Sequence, residues 1–234
     1  MAKKPRGYVG SVTVGQEVGG MRHEAVPFPE TKEEIERLVI ETFDRALDHA
    51  TREKFGITGF AKIPDENDLD CRVHSTRGDW LMDLVECVPA KLSGGGHETA
   101  PNAYVCGETA DRMVELIRAK SDKYAALKTN PWLLMYATAW QFMPTNHEFT
   151  VVEHALINTP PQLGRVFFLY LFGGGQGGVT TLYPVDPGER QRVLEANIPQ
   201  LRAGTTVLAD LRKGQMVVRD GKAVADFPLG RVKW

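Results

Sequence analysis

Apolar positions first take on a regular period at Ile35. Ile35, Leu38, Val39, Phe43 and Ala46, with Thr42 among them, recur at helical spacing. Thr31 and Glu34 supply the T-x-x-E capping box that opens such a helix. The pattern predicts a helix ending near His49–Lys54, before Phe55-Gly56. A polar loop, PDENDLD, follows. The stretch DLDCRVHSTRGDWLMDLVECVP, from Asp68 to Pro89, then alternates as two strands joined by a tight turn at Arg77-Gly78.

Beyond a second loop, KLSGGGHETAPN, helical spacing returns from about Glu108 to Lys128. PWLLMYATAWQF (Pro131 to Phe142) and RVFFLYLF (Arg165 to Phe172) are continuous apolar runs of the kind that fill buried strands. Phe149–Asn158 reads as a short helix and VTTLYP (Val179 to Pro184) as a short strand. A helix over Glu189–Leu201 is interrupted by Pro199. TTVLADL and GQMVVRDGKAVADF close the chain as strands, the latter a hairpin on Asp220-Gly221. Residues 1–30 are Gly-rich and weakly patterned, a short strand pair and an arm.

This order predicts an α/β (α+β) fold, a mixed central sheet with helices on both faces. No linker divides it, so a single domain is expected: an arm over 1–30, a core over 31–184, and a helix with strands over 185–234. Composition changes little in this picture. The 234 residues are 42% hydrophobic and 25% charged, ordinary for a globular chain. No apolar run approaches membrane-helix length, and the first residues lack the apolar stretch of a secretory leader. Three cysteines fit a reducing compartment, so a cytoplasmic location is expected. A net charge of −2 gives no strong field for nucleic acid. The basic tilt after Glu189 reads as solvated surface.

The chemistry lies in the hairpin. Asp70, Asp83 and Glu86 stand among core-type residues, and a buried carboxylate needs a cation, a metal or a proton. A two- or four-residue loop sets Asp70 opposite Val85, on the side of Asp83, whereas a three-residue loop sets it opposite Glu86. Either pair of carboxylates would make a hard-oxygen site suited to Mg²⁺. The plainer account makes Asp70 a turn cap after Asn67 and Glu86 a strand end. The later helix adds Lys120, which falls within the stripe of Met113, Leu116, Ile117 and Tyr124. Its ammonium either snorkels to water or meets an acid inside. Lys123 lies toward the stripe's edge.

An acid-bearing hairpin, a helix with an inward lysine before Tyr124, and then the strand PWLLMY resemble the PD-(D/E)XK nuclease superfamily over roughly residues 31–142. The resemblance implies a restriction-endonuclease-like α-β-β-β-α-β core. It also implies hydrolysis of DNA or RNA phosphodiesters with Mg²⁺ or Mn²⁺. Asp70 matches the first acid and Glu86 the second, with Asp83 as the alternative metal ligand. The motif's lysine position is held by Val88, so the cation would come from Lys120, or more weakly from Lys91. Glu34 would be a further ligand by analogy, although its capping role already accounts for it. Arg72 and His74 would lie toward phosphate.

Other signals carry less. Cys71, His74, Cys87, His97 and Cys106 lack the paired spacing of a zinc site, and the cysteines read as buried thiols. GGGQGG lacks the Gly-Lys-Ser/Thr ending of a phosphate loop, and SGGGHE is a loop that could lie over the acids. Trp132, Tyr136, Trp140 and Phe142 read as core. Two functions remain open: a metal-dependent nuclease, or a catalytically degenerate module that keeps the fold and works through a protein partner or a homo-oligomer.

Overall fold

A computed structural model describes residues 8–14, 21–63, 69–87, 103–126, 130–137, 144–173, 175–207, 215–219 and 222–226. Strands β1 (Tyr8–Val14) and β2 (Met21–Pro27) pair as an antiparallel hairpin. Helix α1 (Lys32–Ala46) starts on the expected capping box, Thr31 with Glu34, and buries Ile35, Val39, Ile40 and Phe43. It stops where Leu47 turns extended. Asp48 then caps a separate short helix, α2 (His49–Phe55), which Gly56 ends in the left-handed region at φ 61°. The sequence pattern joins these two helices. The competing Asp48 cap divides them.

Next come β3 (Ile57–Lys62), β4 (Cys71–Ser75), β5 (Trp80–Glu86) and β6 (Ala103–Val105). Helix α3 (Cys106–Ala126) and strand β7 (Trp132–Tyr136) follow, then α4 (Asn146–Asn158), β8 (Arg165–Gly173) and β9 (Gln176–Tyr183). Helices α5 (Pro187–Glu195) and α6 (Ile198–Ala203) precede β10 (Thr205–Val207), β11 (Gln215–Arg219) and β12 (Lys222–Asp226). Strand β3 has no counterpart in the sequence expectation. Within the apolar run at Pro131, β7 spans Trp132–Tyr136, and Trp140 and Phe142 lie outside the described residues. The interruption expected at Pro199 is present: α5 ends at Glu195, and Asn197 caps a new helix that holds the proline in its first turn. Part of GGGQGG belongs to a strand, because β9 begins at Gln176.

Six strands form one mixed sheet in the order β3-β4-β5-β7-β8-β9. The inner pairs β5·β7 and β7·β8 are parallel, and the outer pairs are antiparallel. Every side chain of β7 is buried, as expected of a parallel strand covered on both faces. Alternation along β7 and β8 sorts their residues into two cores. Leu134 and Phe167 pack with Ile35, Val39 and Phe43 of α1. Leu133, Met135, Val166 and Phe168 pack with Met113 and Ile117 of α3 and with Phe149, Val152 and Leu156 of α4. Full burial of each such side chain contributes about 1.5–3 kcal/mol. The mixed α/β architecture with helices on both faces is therefore as the pattern predicts.

Candidate functional site

The β4–β5 register decides which acids meet. Cys71 pairs with Met82 and Val73 with Trp80, so the turn is centred on Thr76-Arg77, one residue before the expected Arg77-Gly78. Continuing the ladder by one pair sets Asp70 opposite Asp83. Backbone contacts fix Asp70 on both sides. Its carbonyl accepts the Ile63 N–H at 2.9 Å, and its carboxylate accepts the Leu84 N–H at 2.8 Å. Asp83 is 2% exposed in the middle of β5. Its Oδ2 accepts the Tyr124 hydroxyl at 2.7 Å and pairs with Lys120 Nζ at 2.5 Å.

Helix α3 supplies both donors because Lys120 and Tyr124 stand four residues apart on its inner stripe. Lys120 thus meets an acid rather than only snorkelling. Its side chain keeps 25% exposure, so the cluster opens to water on the lysine side. Asp70 feels the crowding. Burial first, and then the neighbouring Asp83 carboxyl, push its pKa up to about 7, against the Leu84 N–H, which lowers it. Two carboxyls this close cannot both ionise freely without a cation or a shared proton.

Glu86 is placed differently. Strand alternation puts it on the face of β5 opposite Asp83, where it pairs in register with Tyr136. Burial and then Glu86, Glu36 and Asp70 raise the Tyr136 hydroxyl well above the usual tyrosine range. Of the two open registers, the Asp70–Asp83 side is the one formed, through a two-residue turn shifted by one position. Val88, Lys91 and His97 lie outside the described residues. Glu34 serves in the capping box of α1. His74 Nδ1 lies 3.2 Å from Asp79, and Arg72 lies 4.0 Å from the same carboxylate.

Sequence reasoning passed over Glu36. This acid is 3% exposed on α1 and bridges Lys32 and Lys62, each at 3.1 Å. Its signal was present: Glu36 lies four residues before Ile40 and beside Ile35, on the apolar stripe. Lys62 pairs in register with Cys71, next to Asp70. Acids and lysines therefore alternate near the Asp70 end of the β3–β4–β5 ladder. Cys71, Cys87 and Cys106 are free and buried, and burial pushes the first two thiols up to about 12.

Among the described residues no group of three or more His, Cys, Asp or Glu side chains converges as a metal site. Asp70 and Asp83 nevertheless offer two hard oxygen groups in a setting that disfavours their joint ionisation. Mg²⁺ is commonly held by one or two carboxylates together with substrate phosphates, so the pair fits such an ion.

No protein-family model matches the chain, and no curated protein does. Among solved structures it is similar to SfsA of Pyrococcus furiosus in complex with Ca²⁺, at 12% identity and a TM-score of 0.28, covering 75% of this chain and 76% of that one. A likeness at that score carries no argument about fold or activity. No helix among the described residues is long and apolar enough to cross a membrane. The fold and the cluster together define a mixed α/β protein with a buried acid–lysine–tyrosine cluster.

Proposed function

We propose that this chain is a metal-dependent phosphodiesterase acting on nucleic acid. The observation that carries the reading is the meeting of Asp70, Asp83 and Lys120 at one partly open point. Asp70 and Asp83 would hold Mg²⁺ or Mn²⁺, with Asp83 rather than Glu86 as the second acid. When bound, the cation supplies Lewis-acid polarisation of a phosphoryl oxygen and activation of water. Lys120 contributes positive charge where charge develops on the phosphoryl group, in place of the motif lysine, whose position falls on Val85 once Asp83 is the second acid. Tyr124 fixes the Asp83 carboxylate. Asp83-x-Val85 then stands where the superfamily carries its acid-x-lysine motif, with the lysine moved to the neighbouring helix.

A second reading rests on the same oxygen. Lys120 and Tyr124 already satisfy Asp83 Oδ2, so the cluster also suits a structural ion pair in a non-catalytic module that binds a protein partner. Calorimetric titration of Mn²⁺, with cleavage of labelled DNA and RNA, separates the two. The nuclease reading expects Mn²⁺ binding that is lost in D70N and D83N. It also expects cleavage reduced by at least about 100-fold in K120M, where the metal still binds. Absence of Mn²⁺ binding in the unsubstituted protein would leave the structural module.

A further inference from the structure

Arg165 opens β8 half-buried, and its guanidinium lies 4.0 Å from the centroid of the Phe55 ring. Among the described residues it forms no ion pair, and burial is the cause that lowers its pKa. Lys54, exposed at the end of α2, has its Nζ 5.7 Å from the same ring centroid. Half-buried Trp80 stacks on Trp132 at 5.3 Å and meets Phe55 edge-on at 5.9 Å. The β4–β5 turn is tied to this spot: Thr76 N–H donates to Gly56 O at 2.9 Å, and the Ser75 hydroxyl to Phe55 O at 2.6 Å. Exposed Arg77 stands on that turn. The acids nearby are engaged, Glu53 with His49 and Asp79 with His74.

Lys54 and Arg165 therefore both lie against the half-buried Phe55 ring beside Trp80, exposed Arg77 stands on the adjoining turn, and no described ion pair to a carboxylate neutralises them. A guanidinium stacked on a ring keeps its N–H edge available for bidentate phosphate contact. Cations interleaved with aromatic faces are how sequence-tolerant single-strand binders hold backbone and bases together. Trp80 begins the strand that carries Asp83, about 10 Å further along, but alternation sets Trp80 with Phe55 on the α1 face of the sheet, opposite the carboxylate cluster under α3.

We propose that Lys54, Phe55, Arg77, Trp80 and Arg165 form a docking point for single-stranded nucleic acid, with the cations on phosphates and Trp80 beneath a base. The proposal deepens the nuclease reading, on which it rests for its substrate class. Binding at this point needs no metal.

The test is fluorescence anisotropy of a labelled oligothymidylate in EDTA, over a series of salt concentrations. The unsubstituted protein should bind with an affinity that falls as salt rises. K54Q and R165Q should each weaken binding by about 3- to 10-fold and lower the salt slope by about 0.7. Because Lys54 is exposed, K54Q reports even where R165Q disturbs folding. No binding, unchanged affinity in K54Q, or equal competition by a duplex of the same length would overturn the proposal. Cleavage in Mn²⁺ without binding in EDTA retires the docking point and leaves the nuclease reading. Binding that K54Q weakens, without cleavage in any condition, does the reverse.

Discussion

At the scale of single residues, Asp70 sets how stability responds to pH. Its folded pKa, pushed up to about 7, lies above the unfolded carboxylate value near 4, so the native state holds this proton more tightly. That contribution is complete below pH 4 and disappears as pH rises through about 7. Asn at this position has no proton to lose. Thermal melts of D70N should therefore decline less from pH 5 to pH 8 than those of the unsubstituted protein. Because Asp70 is half-buried and partly screened, the gain at pH 8 is on the order of 1 kcal/mol. Parallel pH curves for the two proteins would remove Asp70 from this role. Lys120 is the complementary case. Replacing it with Met leaves Asp83 buried without its cation, at a cost of about 2–4 kcal/mol. Adding D83N should recover part of that loss, and urea unfolding of the four proteins in the cycle measures the coupling, expected at about 1–2 kcal/mol. Additive losses would mean that the two groups do not interact.

At the scale of elements, caps and close contacts carry the testable energy. Thr145 and Glu148 form a second capping box at the start of α4, so T145A should cost about 1 kcal/mol in urea unfolding. Gly177 lies where β9 passes α1. A Cβ there would come within 2.6 Å of Tyr170 O and 2.7 Å of the Thr42 methyl, so G177A should cost about 1–3 kcal/mol. A neutral G177A would show that α1 gives way there. These elements also show what the sequence makes legible. The stripe of α1, its capping box, the apolar β7 and β8 runs, and inward Lys120 follow from periodicity, which reports burial directly. Strand β3 did not, since ITGFAK sits on a sheet edge and is mostly half-buried, so its alternation is faint. The choice of Asp83 over Glu86 was equally hidden. It depends on one residue of turn position, fixed by Thr76 N–H bonding Gly56 across a different segment. Glu36 is hidden by its type, since a charged side chain is ordinarily solvated even beside an apolar stripe.

At the scale of the molecule, the two cores lie on opposite faces of one sheet, so the integrity of the sheet sets that of the cluster. Asp70 immediately precedes β4 and Asp83 lies on β5, while Lys120 and Tyr124 come from the helix packed over them. If Mn²⁺ binds as proposed, it should stabilise the native state by RT ln(1 + [L]/Kd), about 2.7 kcal/mol at one hundred times Kd. Scanning calorimetry with and without Mn²⁺ checks this, and D70N should abolish the increment. The order of strands also governs how the chain finds its shape. β4–β5 and β8–β9 are neighbours in sequence and close through short turns. β7 has no hairpin partner and is held by parallel strands on either side, each reached only across a helix. The two ribbons can therefore form early and apart, and joining them waits on the long loops that bring β7 between them. Stopped-flow refolding should show α3 helicity preceding burial of Trp132, and the acid–lysine contact should be among the last to form.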